Sequence, residues 1–349
     1  MQKCMDILKN YLNNLFKANI NNIIKNNMSN KKNGNNPPDE RIPRRYRKRV
    51  INNDEEKSKK SKYDDDDEDD SAAVFMRFIM TNNHDDDAHS KPKSKNTILQ
   101  EKIMKSGMSV KNKETAIIRL KSIEADKQKG MEWIESLLRI PFSKYEPLPV
   151  SMSLSSKEIK EYFDFVQKTL DDAVYGMNVI KEEIINYVAQ IISTENKAQP
   201  RIIGLCGSPG IGKTAIIRKG LSKALKRPMK CISMGGIRDS SHFVGFDYTY
   251  SGSRYGAIVQ SLIDTEVMNP ILFFDELDKV SQTNDGQEII NLLIHITDPI
   301  QNNDFQDKYF SGFQIDISKA ILIFSYNDET LLNPILKDRI HSITVPNPT

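Results

Sequence analysis

Apolar positions recur at helical spacing from Ile98 to about Arg139, and Met131-Glu132-Trp133-Ile134-Glu135-Ser136-Leu137-Leu138 within that stretch is strongly amphipathic. Pro141 stops the pattern, because proline cannot donate into the helix it would continue. Pro147 and Pro149 then mark a linker. Two further helices follow over Ser156–Leu170 and Asn178–Ile192, the second with Val179, Ile180, Ile184, Val188 and Ile191 on one face. From Arg201 the pattern changes to short apolar runs alternating with helices. The runs are Ile202–Cys206, Lys230–Met234, Ile271–Phe274, Ala320–Ser325 and Ser342–Val345. They are continuously apolar, as strands of a parallel sheet covered on both faces must be. Strand–helix alternation of this kind predicts an α/β layered domain.

Upstream of Ile98 the pattern is poor. Residues 1–26 place Leu8, Leu12, Leu15, Phe16, Ile20, Ile23 and Ile24 at helical spacing. This reads as an amphipathic helix; an organelle presequence would be rich in Arg and Ser, and this segment is rich in Asn. Residues 27–97 hold an Asn/Pro stretch (Asn30–Pro38), a basic cluster (Arg41–Arg49) and an acidic run (Asp64–Asp70). Blocks of like charge repel themselves and bury no core, so the expectation is disorder. The predicted organisation is a charged tail over 1–97, a helical lead-in over 98–195 and an α/β core over 196–349.

Composition narrows the classes. The chain has 349 residues, 50 basic and 47 acidic, for a net charge of +3. No global field points to nucleic acid, so only the local Arg41–Arg49 cluster offers that partner. Cys4, Cys206 and Cys231 are too few and too far apart for a disulfide framework or a metal site, and fit a reducing compartment. No apolar run approaches the ~18 residues of a spanning helix. The expectation is a soluble intracellular protein with no membrane partner, cytoplasmic in preference to nuclear, with an organelle left open.

Gly207-Ser208-Pro209-Gly210-Ile211-Gly212-Lys213-Thr214 matches G-x-x-x-x-G-K-[ST] in full. Glycines let backbone N–H groups wrap phosphates with no Cβ in the way. The loop opens a helix whose N-terminus carries partial positive charge. Lys213 supplies a point charge to the β- and γ-phosphates, and Thr214 a hydroxyl to Mg²⁺. A strand precedes the loop and a helix follows, the context the motif requires. ATP and Mg²⁺ are the expected ligands.

Ile271-Leu272-Phe273-Phe274-Asp275-Glu276 is an apolar strand ending in two carboxylates. It delivers them to the crevice where ligands bind in open α/β sheets. Asp275 would hold the Mg²⁺ shell and Glu276 would polarise the attacking water. Asn327 ends the next strand, where an amide orients water or touches the γ-phosphate; a plain turn residue is the alternative. Arg339 precedes the last strand. It reads either as a surface arginine or as an arginine finger donated into a neighbour's site.

With the P-loop, the acid pair, Asn327 and Arg339 in this order, the segment resembles AAA+ ATPases. Finer features resemble the Lon family. These are Gly235-Gly236-Ile237-Arg238-Asp239, Thr249-Tyr250-Ser251-Gly252-Ser253, the Thr297–Asn302 segment followed by Phe305, Tyr175-Gly176-Met177, and Trp133–Pro141. Together they span about Met131 to Pro346. The resemblance implies a P-loop AAA+ parallel sheet flanked by helices. It also implies adenine contact at Tyr175 and Gly176, and a ring of like chains, or a mixed ring with a Lon-type protein, that pulls polypeptide with Tyr250 as the gripping aromatic. Three local departures stand out: Ser251 replaces a hydrophobic residue, Phe246-Asp247-Tyr248 a basic stretch, and Arg254-Tyr255-Gly256 an M-P-G. Where the chain ends at Thr349, the family continues into a helical lid and a Ser–Lys peptidase domain, so no proteolysis by this chain is expected. Two rival expectations stand beside an ATPase: a non-hydrolysing nucleotide-binding modulator of a Lon-type ring, and a DNA-processing AAA+ loader.

Overall fold

The computed structural model describes residues 94–123, 127–195, 200–250, 252–280 and 283–346. The N-terminal amphipathic stretch, the basic cluster Arg41–Arg49 and the acidic run Asp64–Asp70 lie outside the described residues.

The lead-in begins with three helices, α1 (Lys95–Lys105), α2 (Val110–Lys121) and α3 (Lys127–Leu137). The periodicity from Ile98 to Arg139 is therefore broken where one run was expected. Serines make the first break. The Ser94 and Ser109 side chains accept the N–H groups of Thr97 and Asn112 as N-caps, and the Ser106 hydroxyl donates to the Ile103 carbonyl at 2.6 Å. Serine thus offers the backbone local partners that compete with a continuous helix. The Ser94 cap also starts α1 ahead of Ile98.

Helix α4 (Ser156–Ala173) opens on a capping box between Ser155 and Glu158. Helix α5 (Asn178–Ser193) buries Ile180, Ile184, Val188 and Ile191, as the spacing predicts. Val179 does not join that face and is 60% exposed. Helix phase explains this: Val179 lies about 140° round from Ile184, whereas Lys181 lies only about 60° away. Lys181 is accordingly buried, with its Nζ 2.8 Å from Asp171 Oδ1 on α4.

The five apolar runs form strands β1 (Ile203–Cys206), β2 (Met229–Ser233), β3 (Ile271–Asp275), β4 (Ile321–Tyr326) and β5 (His341–Thr344). They make one parallel sheet in the order β2-β3-β4-β1-β5. Strand β4 is buried throughout and the Phe274 and Phe324 rings stack at 5.1 Å. The helices between strands are α6, which continues from Lys213–Ala215 through a π-helical stretch (Ile216–Leu221) to Ser222–Leu225, then α7 (Ser241–Val244), α8 (Ala257–Thr265), α9 (Asn284–Thr297) and α10 (Pro334–Arg339). Helix α4 packs on α6, where Tyr162 Oη donates to the Ala224 carbonyl at 2.8 Å. The lead-in docks through Trp133, whose Nε1 donates to the Tyr309 carbonyl at 2.7 Å, and through Asn112, whose amide pairs with the backbone of Gln314.

Candidate nucleotide site

The strand order sets the site. Strand β4 lies between β1 and β3, so the residue that follows β4 stands between the loop after β1 and the acids after β3. That residue is Asn327.

The loop after β1 turns through Gly210 (φ +78°) and Gly212 (φ +99°), backbone conformations that side-chain-bearing residues rarely adopt. Gly207 is anchored by its N–H to the Tyr326 carbonyl at 3.1 Å. Ser208, Pro209 and Gly210 are exposed, and Ile211 is half-buried. Lys213, the first residue of α6, is 8% exposed. Its ammonium donates to the carbonyls of Gly207 and Ser208 (3.1 Å for the latter) and to Asn327 Oδ1 at 2.8 Å. Burial lowers the Lys213 pKa, and the carboxylates of Asp275 and Asp278 act against that shift. Thr214 sits in the first helical turn.

The acids emerge from the end of β3. Glu276 adopts φ +62°, a left-handed conformation uncommon for a residue with a side chain. Its N–H donates to Asp275 Oδ1 at 3.1 Å. The Glu276 carboxylate lies over Gly235 after β2: a Cβ there would overlap Oε2 and stand 3.4 Å from Cδ. Gly235 therefore leaves the space in which this carboxylate rests.

Asp278 was not among the residues singled out from the sequence, although it follows Glu276 closely in Asp275-Glu276-Leu277-Asp278-Lys279. Its side chain is 2% exposed, and Oδ1 is buried with no hydrogen-bond partner. Oδ2 lies 3.9 Å from Lys279 Nζ.

The turn between α4 and α5 borders the loop. A Cβ on Gly212 would stand 3.5 Å from both Val174 Cγ1 and Met177 Cε. Tyr175 and Gly176 lie between those two residues, with Tyr175 fully exposed and Gly176 at φ +67°. Arg339 is engaged elsewhere. Its Nη1 donates to the Ile294 carbonyl at 2.6 Å and its Nη2 to Asp298 Oδ2 at 3.0 Å. Tyr250 belongs to the loop between α7 and α8 and is 67% exposed.

Among the described residues no group of three or more His, Cys, Asp or Glu side chains forms a metal cage. The residues present fit a nucleoside triphosphate with Mg²⁺. Asp278 Oδ1 is an orphaned acceptor within electrostatic reach of Lys213, and Thr214 and Asp275 carry side-chain oxygens of the kind Mg²⁺ takes.

Residues 203–346 match the family described as ATPase family associated with various cellular activities (AAA). The Lon protease homolog of Acanthamoeba polyphaga mimivirus is 41% identical over 187 residues, 53% of this chain and 18% of that protein. The Lon protease of Helicobacter pylori is 32% identical over 271 residues, 75% of this chain and 31% of that protein. Lon protease 1 of Thermus thermophilus is 31% identical over 260 residues, 72% of this chain and 31% of that protein. The chain carries a Lon-type AAA+ module. The matches cover at most 31% of the length of these relatives. The all-parallel five-stranded sheet is the architecture expected from the sequence, with strand limits displaced by a residue. Among the described residues of this Lon-type module no helix is long and apolar enough to cross a membrane.

Proposed function

We propose that this Lon-type module binds ATP with Mg²⁺ and hydrolyses it by in-line attack of water on the γ-phosphate. The observation that carries the reading is the Lys213 ammonium bonded to Asn327 Oδ1, with the acids of β3 one strand further along the sheet. Lys213 has donors to turn from loop carbonyls to phosphate oxygens. The amides of the Gly207–Gly212 loop and the start of α6 supply further positive potential. Thr214 and Asp275 would hold Mg²⁺, which would neutralise charge on the phosphates. Glu276 would take the position of water-orienting base, and Asn327 would fix the same water or a phosphate oxygen. Catalysis on this reading is positioning and charge stabilisation.

The likeness to Lon proteases supports a further step. The module acts on polypeptide within a ring, alone or mixed with a Lon-type chain, with Tyr250 as the gripping aromatic and Tyr175 and Gly176 beside adenine. Arg339, partly exposed at 29%, would exchange its contact with Asp298 for a neighbour's γ-phosphate. Peptidase chemistry is assigned to none of the described residues.

Binding and turnover are tested separately. Calorimetry with ATP and Mg²⁺ should show binding that Lys213→Ala abolishes. Single-turnover measurements should show hydrolysis that Glu276→Gln removes while binding persists. Binding with no turnover that depends on Glu276 would leave a nucleotide-binding modulator instead. Retention of ATP by Lys213→Ala at the parent's affinity would end the nucleotide-site reading altogether.

A further inference from the structure

Tyr248 stands where the Lon-like stretch departs from its basic pattern, and it is gripped from the lead-in. The Arg119 guanidinium on α2 lies 5.0 Å from the Tyr248 ring centroid, and Lys129 Nζ on α3 lies 4.9 Å from it. Arg119 also covers the Trp133 ring at 4.0 Å. Trp133 and Tyr309 meet the Tyr248 ring edge-on at 6.1 and 6.0 Å. Lys129 Nζ in addition donates to the backbone carbonyl of Tyr250 at 3.1 Å. Two cations of the lead-in therefore hold the side chain of one loop tyrosine, and one of them also holds the main chain of the next. Local bonds stiffen the same turn: Tyr250 N–H donates to the Asp247 carbonyl, and the Ser253 hydroxyl to the Tyr248 carbonyl at 3.1 Å. The Tyr250 side chain is left pointing outward, 67% exposed.

We propose that Tyr248 is a positioning residue for polypeptide engagement: clasped by Arg119 and Lys129, it sets the loop so that the Tyr250 ring is presented to an extended chain. The inference rests on the reading of Tyr250 given above. It makes the lead-in helices part of the polypeptide-handling apparatus. A cation over an aromatic ring attracts through the ring quadrupole, and the attraction survives any substitution that keeps the ring. Phenylalanine should therefore replace Tyr248 and leucine should not.

The test uses the full chain with ATP and Mg²⁺ and a fluorescein-labelled, reduced and carboxymethylated α-lactalbumin as the extended polypeptide. Binding is read by anisotropy, and the emission of Trp133, the sole tryptophan, reports on the clasp. Lys129→Gln should weaken polypeptide binding by about 2- to 30-fold, the range of one cation–π contact, and Tyr248→Leu, which loses two, by at least as much. Both should shift Trp133 emission, and ATP affinity should not change. Tyr248→Phe should bind like the parent. Lys129 is only half-buried, so Lys129→Gln reports even if Tyr248→Leu folds poorly. Parent-like binding by both Tyr248→Leu and Lys129→Gln, in a protein where Tyr250→Ala loses binding, would overturn the clasp while leaving the Tyr250 reading intact. A parent that ignores the polypeptide, or that binds it equally well after Tyr250→Ala, would remove the Tyr250 reading and this inference with it.

Discussion

Gly235→Ala asks whether the resting place of the Glu276 carboxylate is the one used in hydrolysis. The added methyl would overlap Glu276 Oε2 and stand 3.4 Å from Cδ. Restoring an ordinary non-bonded separation displaces the carboxylate by about 1 Å. The backbone at Gly235 does not need glycine, since its φ is outside the left-handed range. The obstructing atom is the tip of a flexible, exposed side chain, so the fold should absorb the change cheaply. Chemistry should not, because a 1 Å misplacement of a positioning group costs on the order of 10²-fold in rate, roughly 2.7 kcal/mol of barrier. The expected result is a melting temperature and ATP affinity equal to the parent's, with single-turnover hydrolysis slowed about 10²-fold. Glu276→Gln serves as the reference for complete loss. If Gly235→Ala turned over within a few-fold of the parent while Glu276→Gln was dead, the carboxylate would act from some other position and the geometric argument would fail.

Other residues make separate predictions. Asp307 is buried, accepts N–H groups from Gly256 and Tyr309 at 2.8 and 2.9 Å, and has its pKa pushed up to about 7 because burial outweighs those bonds. A folded pKa above the unfolded value means the native state holds the proton more tightly. Its contribution is therefore full below about pH 4, declines as pH rises, and is gone above about pH 7, a span of up to roughly 4 kcal/mol. Thermal melts should show the stability of the parent relative to Asp307→Asn falling across that window, and a flat difference would refute it. Asp278→Asn removes a buried negative charge near the phosphate site and should tighten magnesium-free ATP binding about fivefold, roughly 1 kcal/mol; unchanged or weaker binding in calorimetry would place its charge out of reach of the phosphates. Arg339→Ala deletes the links to Ile294 and Asp298 and should lower the melting temperature while ATP still binds. On the ring reading, its turnover per chain should also stop rising with protein concentration, and Arg339→Lys should not restore it because a lysine lacks the two-pronged geometry.

Much of this protein follows from local pattern alone. A loop that must wrap phosphate needs glycines at defined offsets and a lysine at the head of a helix, so Gly207–Thr214 is legible without coordinates. Strands covered on both faces must be continuously apolar, and that marked all five runs to within a residue. The acid pair is legible because it ends such a run. Helical phase, by contrast, needed counting: Val179 belongs to solvent and Lys181 to the interior.

Strand order is different in kind, because no periodicity along one strand encodes which strand lies beside it. The insertion of β4 between β1 and β3 is what sets Asn327 against Lys213. The sequence names both residues but not their contact. The same non-local packing buries Asp278, leaves the Glu276 carboxylate over Gly235, ties Arg339 to Asp298, and closes Arg119 and Lys129 on Tyr248. Each of these joins residues far apart along the chain or depends on what covers them, so each waits for the sheet and helices to assemble. Sequence determined which groups were available; tertiary packing decided which ones meet.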